Sequence, residues 1–189
     1  MEIYLVRHTT PKIEKGICYG QSDIELDQTR FETEFNAVKE KLPAKLEQVY
    51  SSPLLRCRKL AKRLQAPTVF DPRLMELNFG AWETKKWEAI APSALKVWMQ
   101  DFVGTKAGGG ESYHDLHKRT LAFIDELSSP TTEENCIAIV THAGNIRSFV
   151  SYILGLPLEN SFRLQIGYGN VIKVNLGILA HEHQLTLNV

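Results

Sequence analysis

Arg7 and His8 close an apolar run, Ile3 to Val6, and Pro11 follows three residues later. A fixed guanidinium beside an imidazole at a strand end suits an anion. Arginine presents paired donors to phosphate oxygens, and an uncharged imidazole nitrogen can take a phosphoryl group covalently. Neighbouring guanidinium groups favour that uncharged form by lowering the imidazole pKa. Two further strand-like runs end in similar chemistry. "QVYSSP" (Gln48 to Pro53) leads to Arg56, one turn into the next helix, and "CIAIVTHAGNIR" (Cys136 to Arg147) carries Thr141 and His142 where its apolar run stops. A helix opening at Ala143 would aim free amides and a positive dipole at the same place. Glu76, in "LMELNFG" after a third short strand, is the carboxyl available to give a leaving group its proton and then to activate water. Tyr19, Gly20 and Ala143 complete the predicted substrate contacts.

These residues need elements that bring them together. Glu2 to Val6, Gln48 to Pro53, Thr68 to Phe70 and Cys136 to Val140 read as strands. Helical spacing marks a helix begun by Asp27 with Phe31, Phe35, Val38 and Leu42, stopped by Pro43. Further helices are predicted over Leu54 to Leu64, Pro92 to about Asp101, Tyr113 to Leu127, and after His142 to about Leu154. Thr9 to Asp27 reads as a long ordered loop, and the tail holds strand-like runs around Val171 to Leu176 and His183 to Leu187. Strands alternating with helices predict an α/β fold, a three-layer α/β/α sandwich with a mostly parallel central sheet. In such a sheet ligands bind beyond the carboxyl ends of the strands, so Arg7, His8, Arg56 and His142 should converge.

With 189 residues, 43% of them hydrophobic, the chain is sized for a single domain, 1–189. Lys plus Arg and Asp plus Glu number 22 each. Balanced charge predicts no nucleic-acid and no membrane partner, so an anion site must be a local cluster. Three widely spaced cysteines, Cys18, Cys57 and Cys136, suit neither a disulfide framework nor a zinc site. Without a leader-like N-terminus or a membrane-length apolar run, the chain reads as soluble and cytoplasmic.

Plainer readings stand beside these. Arg58, Lys59, Lys62 and Arg63 read as the wet face of a helix, and His114 and His117 as surface or capping residues. Gly108 to Gly110 lack the Gly-Lys-Ser/Thr of a P-loop. Glu111 and Ser112 suit a loop that borders the pocket and caps the next helix. Cys18 suits packing. Tyr19, Trp82 and Tyr168 suit either stacking on a flat base or packing.

In order along the chain, "LVRHTTP", "SSPLLRCRKLA", "LMELNFGAWE", "GGGES" and "VTHAGNIR" resemble the histidine phosphatase superfamily, the phosphoglycerate-mutase-like group. The resemblance spans essentially the whole chain. It implies that His8 is the phosphorylated nucleophile, that Arg7, Arg56 and His142 form the phosphate pocket, and that Glu76 is the proton donor, with no metal or cofactor. The commonest first motif reads RHGET, whereas Thr9 and Thr10 stand here in place of the glycine and the acid. Ile13 and Glu14 occupy the neighbourhood of an asparagine often found in the family. With "GICYGQSD" (Gly16 to Asp23), these differences resemble the α-ribazole phosphatase branch, which acts in assembly of the cobalamin lower ligand. The implied activity is hydrolysis of a small phosphomonoester, α-ribazole 5′-phosphate. The alternatives are a broad-specificity sugar or nucleotide phosphatase, a phosphoglycerate mutase, or a catalytically silent phosphate-binding module. A compact chain leaves little sequence for the extra segments that mutases generally carry over the pocket, which favours hydrolysis.

Overall fold

Alternate side chains of the first strand, β1 (Glu2–Arg7), enter two different cores in the computed structural model, which describes residues 1–127, 136–177 and 184–187. Ile3 and Leu5 pack with Phe123, Ile124, Ile146 and Phe149; Tyr4 and Val6 pack with Phe31, Phe35, Cys57 and Leu60. Successive residues of a strand face opposite ways, so a strand apolar throughout must be covered on both sides. Helices α4 (Tyr113–Leu127) and α5 (Ala143–Leu154) cover one face, and α1 (Gln28–Glu40) and α2 (Leu55–Arg63) cover the other. This is the predicted α/β/α sandwich.

The other strands are β2 (Gln48–Ser51), β3 (Thr68–Phe70), β4 (Cys136–Thr141), β5 (Val171–Asn175) and β6 (Gln184–Leu187), in the sheet order β3-β2-β4-β1-β5-β6. The first four in that order run parallel, while β5 and β6 are antiparallel to their neighbours. His183, expected to start the last strand, lies outside the described residues.

Local signals act as the sequence reading predicts. Asp27 accepts the Thr29 amide at 3.0 Å and caps α1. Ser112 and Asp115 exchange hydrogen bonds at the start of α4, and α5 ends on Gly155 in the left-handed region. A third cluster, built from Leu77, Trp82, Ile90 and Tyr113 with Phe79, Trp87 and Trp98 against it, stands apart from the two cores that flank the sheet. It includes Trp98 of α3 (Pro92–Gln100). Among the described residues no helix is long and apolar enough to cross a membrane.

Candidate active site

Register brings the reactive strand ends together. Arg7 pairs with Thr141 across β1 and β4, the His8 amide donates to the Thr141 carbonyl at 3.1 Å, and the Ser52 amide donates to the Val140 carbonyl at 3.0 Å. The His8 and His142 rings then meet edge to face, with centroids 5.1 Å apart.

The His8 ring is oriented by its own neighbour. Its Nδ1 lies 2.7 Å from the Thr9 carbonyl oxygen. A carbonyl only accepts, so Nδ1 carries the proton and Nε2 keeps its lone pair. Burial holds the imidazole pKa well below its usual 6.5, and the charges of Arg56 and Arg7 add to that, outweighing the contrary effect of the Thr9 carbonyl. His8 is thus a neutral imidazole with an unprotonated Nε2.

Arg56 has no exposed surface. One terminal nitrogen donates to the Ser22 carbonyl at 2.9 Å and the other to the Gly20 carbonyl, yet its Nε is buried without a partner. Arg7 donates to the Ile166 carbonyl and lies 4.0 Å over the Tyr168 ring, and its Nε is likewise buried and unpartnered. Thr9 Oγ1 is the third such atom here. Buried donors are ordinarily satisfied. Two guanidinium nitrogens without partners, on arginines whose charges act on a neutral imidazole, are chemistry that suits an anion.

Gly20, a predicted substrate contact, sits in the loop that holds Arg56. Its amide donates to Glu83 Oε2 at 2.9 Å while its carbonyl holds Arg56. Both backbone polar groups are engaged, and Gly20 is not among the residues that line the cavity described below. Glu83 organises this loop: its carboxylate accepts the amides of Gly20, Gln21, Ser22 and Phe79 and the Ser22 hydroxyl. Burial pushes the Glu83 pKa up, but these hydrogen bonds outweigh it and hold the group below its usual value.

His142 is also fully buried, with Nε2 2.8 Å from Ser52 Oγ and 3.4 Å from Cys57 Sγ. Burial first, then Arg56 and His8, holds its pKa well below 6.5. Glu76 Oε1 accepts the Leu77 amide at 2.9 Å and Oε2 accepts the Gly144 amide at 3.2 Å. At Gly144 a Cβ would lie 2.2 Å from Glu76 Oε1, so a larger residue there would push the carboxylate aside.

A cavity of about 220 Å3 unites Arg7, His8, Tyr19, Glu76 and Ala143, five of the predicted residues. Arg56 and His142 lie outside its wall. The rest of the lining includes the rings of Phe79, Trp87, Tyr113 and Phe162, and Arg147, whose guanidinium lies 4.9 Å over the Phe162 ring. Arg147 donates to the Leu164 carbonyl at 2.9 Å, and no carboxylate of the described residues is within ion-pairing distance. The sequence reading missed Arg147 and this wall, which is assembled from segments far apart in the chain. Arg147 alone had a signal, lying four residues beyond Ala143 on one helix face.

The plainer readings resolve individually. Trp82 packs against Trp87 and Trp98 rather than lining the cavity. Tyr19 lines it and shares a 2.7 Å hydroxyl contact with Tyr168. Glu111 is bound to Arg119 and to the Asn78 amide rather than facing the cavity. Gly110 packs backbone against backbone, since a Cβ there would lie 2.2 Å from the Asn78 carbonyl. His117, expected at the surface or as a cap, is half-buried and ties α4 to α5 through Ser148 at 2.8 Å. No group of three or more His, Cys, Asp or Glu among the described residues is placed to hold a metal ion.

The chain is similar to known proteins along nearly its whole length. The profile of the histidine phosphatase superfamily (branch 1) matches residues 3–182. A Hydrogenobacter thermophilus protein named "Putative phosphoserine phosphatase 2" is 28% identical over 202 residues, covering 97% of this chain and 98% of its own. A "Probable phosphoglycerate mutase GpmB" of Erwinia tasmaniensis is 30% identical over 186 residues, covering 93% and 85%. The crystal structure of the α-ribazole phosphatase from Shigella flexneri superposes with a TM-score of 0.88 over 99% of this chain and 95% of that one. Its identity of 22% makes that a likeness of fold.

Proposed function

The chain belongs to the histidine phosphatase superfamily, and from that premise we propose that it is a phosphomonoester hydrolase working through a phosphohistidine at His8. The observation that carries this reading is the neutral His8 imidazole, its Nε2 unprotonated, beside the unpartnered Nε donors of Arg7 and Arg56.

His8 Nε2 attacks phosphorus, the bond from phosphorus to the ester oxygen breaks, and Glu76 gives its proton to the departing alkoxide. Water then attacks the phosphohistidine, Glu76 takes the water's proton, and inorganic phosphate leaves with His8 restored. Arg7, Arg56 and His142 steady the charge on the transferring group, which is most of what phosphoryl transfer asks of a protein. Residues 1–189 act as one catalytic domain in this reading, a cytoplasmic one.

For the substrate we propose α-ribazole 5′-phosphate. The support is the aromatic wall of Tyr19, Phe79, Trp87 and Tyr113, which suits a flat base, together with the "GICYGQSD" loop. Arg147 favours a second reading, a leaving group that carries a carboxylate, as in phosphoserine or a phosphoglycerate. Comparing kcat/KM across α-ribazole phosphate, phosphoserine, phosphoglycerates and sugar phosphates decides between them. The first reading puts α-ribazole phosphate at the head of that series. If it ranks with the poorest substrates, the first reading fails and an Arg147-dependent preference for the acids supports the second.

A further inference from the structure

The segment that carries Glu76 belongs to no strand. It leaves β3 at Phe70 and runs through a short 3-10 turn, Pro72–Leu74, into irregular chain. Its carbonyls have no sheet partner, and backbone acceptors inside a protein need donors. Thr141 serves the Leu74 carbonyl and Asn145 shares that of Arg73, but one side chain supplies three of them at once. Arg119, on α4, donates to the Arg73 carbonyl at 2.7 Å, to the Met75 carbonyl, and to the Glu76 carbonyl at 2.9 Å. Its remaining donors meet both oxygens of Glu111, each at 2.9 Å. Glu111 in turn accepts the Asn78 amide at 3.0 Å, and its own amide donates to the Asn78 carbonyl at 2.8 Å. The pair therefore grips the backbone on both sides of Glu76.

We infer that Arg119, held by Glu111, is a positioning residue for the general acid: it sets where the Glu76 carboxyl stands over the cavity without touching substrate. The inference rests on the phosphatase reading. Only arginine can do this, because five donors in one rigid plane serve three carbonyls and a carboxylate at once. A lysine would present one charged point with a shorter reach. Precision matters here because a proton donor displaced by about 1 Å can lose about 100-fold in rate. Gln21 also donates to the Glu76 carbonyl, at 3.1 Å, and the Leu77 and Gly144 amides hold the carboxylate itself.

A group acting through Glu76 leaves a leaving-group signature. p-Nitrophenolate departs without an acid, whereas an alkoxide does not. The experiment measures kcat and KM of Arg119→Met on p-nitrophenyl phosphate and on β-glycerophosphate, alongside Glu76→Gln and the double variant, with melting temperatures for each. The expected result is a fall of about 100-fold in kcat on the alkyl ester, with KM and the aryl ester changed less than about threefold. The double variant should lose no more than Glu76→Gln alone, because residues that act as a unit are not additive.

Equal losses on both esters, or losses that multiply in the double variant, overturn the inference and leave Arg119 a structural residue. Should Arg119→Met fail to fold, Glu111→Gln, which keeps shape and one acceptor oxygen, is read by the same two ratios. A wild-type protein that hydrolyses neither ester removes the phosphatase reading itself. A wild-type protein that hydrolyses both, beside an Arg119→Met variant that matches it, removes only this inference.

Discussion

The Thr9 carbonyl oxygen stands 2.7 Å from His8 Nδ1 and so decides which nitrogen of the nucleophile is free. The contact joins two neighbours in the chain, so it is fixed by the backbone where β1 ends. The side chain of Thr9 plays no part in it. A Thr9→Gly change, which restores the commonest family motif, should therefore keep the hydrogen bond and hold kcat within about threefold. The only polar atom it removes is Thr9 Oγ1, which has no partner. Steady-state kinetics on p-nitrophenyl phosphate check this, and a fall beyond about 100-fold, the scale of one lost charge-stabilising donor, would make that hydroxyl a phosphate ligand.

Arg56 should be more sensitive. Its removal takes away a charge and the open Nε donor, and it releases the carbonyls of Gly20 and Ser22. Arg56→Ala is expected to lower kcat by about 100-fold or more. Arg56→Lys should recover little, since an ammonium cannot hold both carbonyls and still address the ligand. A lysine variant with near-normal turnover would show that charge alone is needed.

The pH dependence of stability follows from His8 and His142. Both are held well below 6.5, chiefly by burial. Below that value the unfolded chain takes up protons that the folded chain refuses, so stability falls as pH falls. Above it, the two residues contribute no slope. Each adds about 1.4 kcal/mol per pH unit where only the unfolded form is protonated. Glu83, held below its usual 4.5, contributes stability above that value that is lost as pH falls further. Urea melts from about pH 7 to about pH 5 should show the histidine slope, and His142→Asn should reduce it. An unchanged slope in that variant would assign the titration elsewhere.

Gly144 tests the seating of Glu76 from the other side. A methyl group there would lie 2.2 Å from Glu76 Oε1 and 3.1 Å from Leu116 Cδ1. The carboxylate end is the part able to move. Gly144→Ala should therefore slow alkyl esters more than aryl esters, with little change in melting temperature. A variant that melts far lower while keeping its ester ratio would place the strain in the core around Leu116.

The convergence of the strand ends was legible because β1 and β4 are short, apolar and stop beside His8 and His142, while β2 leads through Ser51 and Ser52 to Arg56 at the start of α2. Parallel pairing then leaves their ends little freedom but to meet. Legibility failed where position depends on contacts between distant segments. Nothing local to Gly20 shows that Glu83, 63 residues away, claims its amide. Glu111 lay beside a glycine-rich run, yet its partner is Arg119, two turns along the next helix. Tyr113 reads as the start of an ordinary helix and Phe162 has no local signal, until the cavity brings both into one lining with His8.

The central claim is covalent. Mixing the protein with p-nitrophenyl phosphate and quenching within milliseconds in alkali preserves a phosphoramidate, which acid then releases. We predict one acid-labile phosphoryl group per chain, located by peptide mass on His8, formed faster than steady-state turnover and accumulating further in Glu76→Gln. It should be absent from His8→Ala, which should not turn over above background. An unlabelled His8 in a protein that still releases p-nitrophenolate, or a His8→Ala protein that keeps most of its turnover, would contradict the account.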